Sequence, residues 1–515
     1  MKQEQKENSR KNSAYEQLQP YLERAMALQT ANILFEWDNE TLAPRQAGAC
    51  TARVQGALAA AYQELMTGEE VRGLLEKCEK ESGFTEKELA IIREAKEEQR
   101  ELSCIPPEEY RAFQELVAES TRIWTQARKD QDFEAFAPTL EKIIDYQKRF
   151  AGYQAREGQR LYDVMLDHYE KGFSMEKLDE FFALLKAELV PFLHQVTDKG
   201  TEIRDDFLEG DYPQEKQRRL AEELAEYVGF DFEKGVLAES AHPFTTNLHN
   251  RDVRITTHYK ARMDSSLFSV IHEAGHAVYE QGVADELTQT LVGQGASMGM
   301  HESQSRFFEN IIGRDEAFWE PIYPKLQRMF PEKLGKISRE DFVRAVNKVQ
   351  PGLIRTEADE LTYSLHVLVR YELEKMLIEE NLSVKELPKL WADKYEEYLG
   401  VRPRNAAEGV LQDIHWAQGS FGYFPSYALG SAFAAQMAAF MKQSLDFGEL
   451  LRKGEPGVIR EVLRRHIHQY GKLRDSRRLL KDMTGEDFKP QYYVDYLKEK
   501  YGKLYHIEGC EQRNA

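Results

Sequence analysis

The residues with the clearest chemistry lie in Ile271-His272-Glu273-Ala274-Gly275-His276-Ala277-Val278-Tyr279. His272 and His276 are four residues apart in a helix-compatible run, so they stand one turn apart on one face. Two imidazoles at that spacing can grip one metal ion, and nitrogen ligation without thiolates suits Zn²⁺. Glu273 projects beside them, placed to take a proton from a water that the metal activates rather than to bind the metal. A catalytic zinc usually takes a third protein ligand and keeps one position open. The pattern H-E-x-x-H-x-x-G-x-x-H does not supply it, because Tyr279 and Gly282 stand where Gly and His are needed. Downstream, Gly299-Met300-His301-Glu302-Ser303-Gln304-Ser305-Arg306 opens a second helical run. The glycine-rich turn Gly293–Gly299 lets that run return beside the first. Glu302 would then complete a His₂Glu set, with His301 as the rival ligand or a neighbour of one.

The elements that must position these residues are mostly helices. Charged residues make up 30% of the 515 and hydrophobic ones 42%, which suits a helix-rich protein. A net charge of −19 argues against nucleic acid or an anionic membrane as partner. No apolar run approaches the ~18 residues of a membrane span, and the N-terminal residues lack the apolar core of a signal peptide. Cys50, Cys78, Cys104 and Cys510 show no C-x-x-C spacing and read as reduced thiols, so the expected location is cytoplasmic.

Residues 1–12 are polar and expected to fray. Helical periodicity then runs from Tyr15 to about Ile33, is interrupted at Trp37–Pro44, and returns over Cys50–Lys77 and Thr85–Leu102. Further helices are predicted at about 107–128, 133–157, 175–198 and 213–228. With no repeat or flexible linker, residues 1–515 are expected to form one domain: a helical layer over about 1–230 and a catalytic half over about 231–515. Between Ala241 and Tyr259 the texture changes. Asp252-Val253-Arg254-Ile255-Thr256 alternates with period two, and a hairpin turning near His249-Asn250 is predicted. Such an edge can hold an extended peptide by its backbone or simply brace the active-site helix.

Further on, Arg355, Glu357 and Asp359 crowd charge onto a stretch that leads into a long apolar helix ending near Glu379. Taken alone, Arg355 reads more readily as half of a structural ion pair than as a fork for a substrate carboxylate. The Gly- and aromatic-rich connection Gly419–Gly430 carries Tyr423 and Tyr427, whose hydroxyls could donate to an oxyanion.

Six short motifs in order give the chain a resemblance to the carboxypeptidase Taq family of metallocarboxypeptidases. They are His242-Pro243-Phe244, Asp252–Thr256, His272–His276, His301-Glu302-Ser303-Gln304, Ile354–Asp359 and Gly409–Trp416. The departures, Ala43 and Ala238, touch none of the expected ligands. The resemblance implies a mainly α, zincin-like fold with a deep active-site groove and one small β-sheet or hairpin. It implies a homodimer that releases single C-terminal amino acids with broad tolerance and poor handling of proline. One divalent metal ion per chain is expected, Zn²⁺ first, with Co²⁺ or Mn²⁺ as alternatives. His272, His276 and Glu302 are then the ligands and Glu273 the general base. Tyr423 is the oxyanion donor, with Tyr427 and His242 as rivals. The resemblance also reverses the reading of Arg355, which becomes the expected clamp for the substrate's terminal carboxylate, ahead of Arg254. His242, His415 and Tyr427 join these arginines as substrate-binding candidates. Two other classes stay open: an endopeptidase with the same metal core, and a silent metal-stabilised scaffold, against which the intact Glu273 argues.

Overall fold

Apolar residues recurring every three or four positions make the described residues mainly helical, with one small sheet among them, as expected for the fold class. The computed structural model describes residues 13–44 and 46–507; the polar residues 1–12 and Cys510 lie outside them. Two compact units share the chain in alternating pieces. The first takes the described residues up to Cys104 with Glu209–Ala296 and Lys453–Met483. The second takes Ile105–Leu208, Ser297–Arg452 and the described residues from Thr484 on.

The first unit opens with α1 (Ala14–Thr41), α2 (Gly48–Thr67), α3 (Glu69–Cys78) and α4 (Glu86–Cys104). Ser13 starts α1, its Oγ accepting from the Glu16 N–H at 3.2 Å. Leu18, Leu22 and Ala25 of α1 face Val71 and Leu75 of α3, Ile91 and Ala95 of α4, and Leu287 and Val292. Each large aliphatic side chain buried there contributes about 1.5–3 kcal/mol. Two boundaries differ from expectation. Helix α1 runs on through Trp37-Asp38-Asn39-Glu40-Thr41, because Trp37 is buried with its ring edge-to-face on Phe244. The single helix expected over Cys50–Lys77 is broken at Gly68, whose extended backbone separates α2 from α3.

The sheet comprises β1 (Gly235–Glu239), β2 (Thr245–His249) and β3 (Asp252–Thr257) in the order β1-β3-β2. The predicted hairpin is β2–β3, antiparallel with Thr245 opposite Ile255 and an irregularity between Asn247 and His249. Unforeseen from sequence, β1 adds a parallel edge, with Leu237 opposite Ile255. Val253 and Ile255 are fully buried while Asp252 and Arg254 stay half-exposed, which is the period-two pattern of a one-sided strand. Helix α5 (Met263–Gln281) follows and packs on this sheet.

In the second unit, α6 (Met298–Arg306) is continued by a single wide π-helical turn, Phe307–Ile312. Helix α7 (Glu360–Glu379) is buried at every position from Glu360 to Tyr371. Helix α8 (Pro425–Met441), rich in small residues, lies directly on α6. Glycine is required on the α8 side of that contact. A Cβ at Gly430 would stand 2.6 Å from Glu302 Cβ and Cγ, and one at Gly299 would stand 2.3 Å from Glu170 Oε2.

Candidate metal and peptide-binding site

Helix α5 is buried around nearly its whole middle; His272 and His276 are the half-exposed residues in the stretch from Val270 to Glu280. Their rings stand 4.9 Å apart at 81°, consecutive turns of one face. Glu273, 6% exposed, is held from the sheet: Thr245 Oγ1 of β2 donates to its Oε2 at 2.6 Å. Two residues along the same strand, Asn247 Nδ2 donates to Glu280 Oε2 at 2.6 Å. Side chains two apart on a strand share a face, as do residues seven apart on a helix, so β2 fixes the rotation of α5. This is the bracing role that the sequence left open for the hairpin.

Glu302 is buried on α6, whose first turn is anchored twice. Ser297 Oγ accepts from the Met300 N–H at 3.1 Å, and Glu170 Oε2 accepts from Ser297 Oγ and the Gly299 N–H at 2.8 and 2.9 Å. One oxygen of Glu302 is taken by Arg306, whose Nε donates to Oε1 at 2.6 Å. Arg306 also reaches Glu309 Oε2 at 3.1 Å, and its guanidinium carbon lies over the Tyr363 ring, 4.0 Å from the centroid. Among the described residues, His272, His276 and Glu302 form one group with metal-ligand chemistry, each offering a donor atom, all within 4.8 Å of one another. Two imidazoles and one carboxylate fit a divalent ion of the zinc type, the set used where a position must stay open. His301 is not a member of this group.

A second cluster surrounds Arg355. Its Nε and Nη2 donate to Asp413 Oδ1 at 3.0 and 2.8 Å, and its Nη1 donates to the Tyr363 hydroxyl at 3.3 Å. Arg370, fully buried, donates from Nε to the other oxygen of Asp413 at 2.6 Å. Burial pushes the Asp413 carboxyl up, but Arg355 and Arg370 overcome it and hold the group well below the usual carboxylate range. The Tyr427 ring lies 4.7 Å from the guanidinium of Arg355. His415 Nε2 meets the Tyr427 hydroxyl at 3.2 Å. Burial, then the charge of Arg355, push His415 down to about 3, so it is neutral at physiological pH. Tyr423 stands edge-on to Tyr427 at 5.1 Å, and burial pushes its hydroxyl up to about 12, which keeps the proton it would donate.

Arg355, His415, Tyr423 and Tyr427 are thus gathered into one aromatic cluster. The remaining candidates are placed otherwise. Arg254 on β3 grips Asp252 through two bonds of 2.8 Å and faces the Trp37 ring. His242 is exposed in a turn where Ser240 Oγ donates to its carbonyl. Sequence reasoning did not single out Thr245, Arg306, Tyr363 or Glu374. Glu374 is buried on α7, and burial raises it to about 7. It accepts from Trp416 Nε1 and Tyr162 Oη at 2.7 Å each and from the Gly422 N–H at 2.9 Å, so it straps both ends of the loop leading to Tyr423. Of these residues, only Arg306 had a legible signal, its i+4 spacing from Glu302.

Comparison with known proteins agrees with the motifs. The carboxypeptidase Taq (M32) metallopeptidase family matches residues 17–501. Carboxypeptidase 1 of Bacillus subtilis is 41% identical over 94% of this chain and 97% of its own. Thermostable carboxypeptidase 1 of Pyrococcus furiosus is 38% identical over 95% and 99%. The crystal structure of M32 carboxypeptidase from Deinococcus radiodurans R1 is 34% identical and superposes with a TM-score of 0.93 over 96% of this chain and all of that one. This chain belongs to the carboxypeptidase Taq (M32) family of metallopeptidases and is a metallocarboxypeptidase, a hydrolase of peptides.

Proposed function

We propose that the enzyme removes single C-terminal amino acids from peptides, tolerating most side chains and disfavouring proline, with Glu273 as general base. The observation that carries this reading is the Glu273 carboxylate, held by Thr245 on the helix that bears both imidazoles. His272, His276 and Glu302 would hold one divalent ion, Zn²⁺ first and Co²⁺ or Mn²⁺ as alternatives. Such an ion supplies Lewis acidity, polarising the scissile carbonyl and lowering the pKa of water toward about 7. The chain's own residues do the rest. Glu273 takes the proton of the attacking water and passes it to the leaving amine. Tyr423, protonated at any physiological pH, donates to the oxyanion, with Tyr427 and His242 as rivals.

Arg355 reads the terminal carboxylate. A guanidinium has five N–H bonds. Three are directed at Asp413 and Tyr363, which leaves one on each terminal nitrogen, the pair that can grip a carboxylate from the end. Arg254 is the second choice, and His242, His415 and Tyr427 contribute to peptide binding. The whole chain is proposed to act as one catalytic domain, in a cytoplasmic homodimer that takes peptides and not nucleic acid. The unpaired thiols of Cys50, Cys78 and Cys104 and the net charge of −19 support that setting.

Glu273→Gln tests the base. Zinc affinity, read by competition with a chelator, should stay within about twofold while kcat falls by about 10²–10⁴. Near-normal turnover would rule the role out.

A further inference from the structure

We infer that Tyr363 is a positioning residue that ties the metal ligand Glu302 to the carboxylate-binding Arg355, its ring steadying Arg306 on Glu302 and its hydroxyl steadying Arg355. The inference rests on the roles proposed above for Glu302 and Arg355.

Tyr363 lies in the first turn of α7, which is itself pinned. Asp359 caps the helix, with Oδ1 accepting from the Thr362 N–H at 3.0 Å and Oδ2 from the Gln350 N–H at 3.0 Å. The side chain is 4% exposed, with no room to swing. Each part of it meets a different arginine. The Arg306 guanidinium lies 4.0 Å from the ring centroid, and Arg355 Nη1 donates to the hydroxyl at 3.3 Å.

A planar guanidinium is oriented by what meets its face and its edges. For Arg306 the face rests on Tyr363, one edge binds Glu309, and Nε is left aimed at Glu302 Oε1 at 2.6 Å. That hold orients the carboxylate through Oε1, while Oε2 accepts from Ser305 Oγ at 3.3 Å. For Arg355, Asp413 takes Nε and Nη2, while Tyr363 takes the one remaining hold on Nη1. Without it the polar holds on the clamp lie along one edge, and the Tyr427 and Phe424 rings, 4.7 and 5.6 Å from the guanidinium carbon, are its other contacts. A continuous chain therefore runs Glu302–Arg306–Tyr363–Arg355–Asp413, and Tyr363 is the one member that contacts both arginines through chemically separable groups.

That separability supplies the test. Tyr363→Phe keeps the ring and removes the hydroxyl; Tyr363→Leu removes both. Zinc affinity is measured by chelator competition, and steady-state kinetics use a free-acid peptide and its C-terminal amide. Tyr363→Phe should leave zinc affinity within about twofold and raise KM for the free acid about fivefold. Tyr363→Leu should raise that KM similarly and also weaken zinc binding about fivefold. A loss of packing alone would not divide the two readouts. Arg306→Lys guards against a Leu variant that fails to fold: it removes the Nε donor to Glu302 Oε1 while leaving Tyr363 and Arg355 in place. It should weaken zinc binding with KM unchanged. The inference is overturned if Tyr363→Phe weakens zinc binding as much as Arg306→Lys does, or leaves KM for the free acid unaltered. Native zinc affinity in Glu302→Ala, or native free-acid KM in Arg355→Ala, would instead overturn the site assignments on which it rests.

Discussion

Two arginines in this chain each grip an aspartate through Nε and Nη2, in opposite surroundings. Arg254 and Asp252 sit two apart on β3 with their side chains 22% and 28% exposed. Arg355 and Asp413 are 6% and 10% exposed, and Asp413 carries a second, fully buried arginine, Arg370. A water-exposed pair gains little, because solvent and salt screen it and two long side chains must be ordered. A buried pair is expensive to assemble but cannot rearrange, since either partner alone would be an uncompensated charge. The difference teaches what fits an arginine to read a carboxylate: less the strength of its own ion pair than the inability of its guanidinium to turn away. Both arginines stand in family motifs of the same style, so spacing alone could not rank them.

The comparison can be broken most severely at the aspartates. Asp413→Asn should cost about 3–5 kcal/mol in denaturant unfolding, because two buried guanidiniums lose their shared anion. Asp252→Asn should cost less than about 1 kcal/mol. Similar losses would erase the distinction. At the arginines, Arg355→Ala should lower kcat/KM on free-acid peptides by about 10²–10³ and spare amides, whereas Arg254→Ala should cost less than about tenfold. Equal losses on acid and amide would point to folding rather than recognition.

The pH dependence sharpens the same contrast. Asp413 is depressed in the folded state, so the stability it contributes is present above its unfolded pKa, near 3.8, and is lost as pH falls below that. Glu374 is raised from 4.5 to about 7, so its contribution is full below 4.5 and is lost as pH rises through 7. Glu374→Gln should therefore flatten the decline in stability between pH 4.5 and 7, at a cost of about 1–3 kcal/mol for the donor left unpaired. Unfolding at both ends of that window, unchanged in slope, would contradict the assignment.

What could be read from the sequence was what is local. The i, i+4 histidines, the glutamate between them and the alternation of β3 all follow from helix and strand periods within a few residues. The mainly helical fold with its small sheet was legible for the same reason. What escaped depends on partners far along the chain. Thr245 meets Glu273 28 residues away, and Glu374 meets Gly422 48 residues away. No local period encodes such pairings. Helix α1 outran its expected end for a similar reason: Asp38-Asn39-Glu40 look like a break, yet burial of Trp37 against Phe244 outweighs their weak propensity. The strand β1 is five residues long and begins with glycine, too short to show its period. Arg355 was open to two readings, ion pair or clamp, and its geometry is compatible with both at once.

The most direct measurement follows zinc-loaded enzyme acting on one peptide with a free C-terminal carboxylate and on the same peptide amidated, with products identified by mass. The account predicts stepwise loss of single residues from the free acid, with the amide cleaved about 10²–10³ more slowly. Internal cuts in both would contradict it and identify an endopeptidase; no cleavage of either, with zinc bound, would leave a metal-binding scaffold.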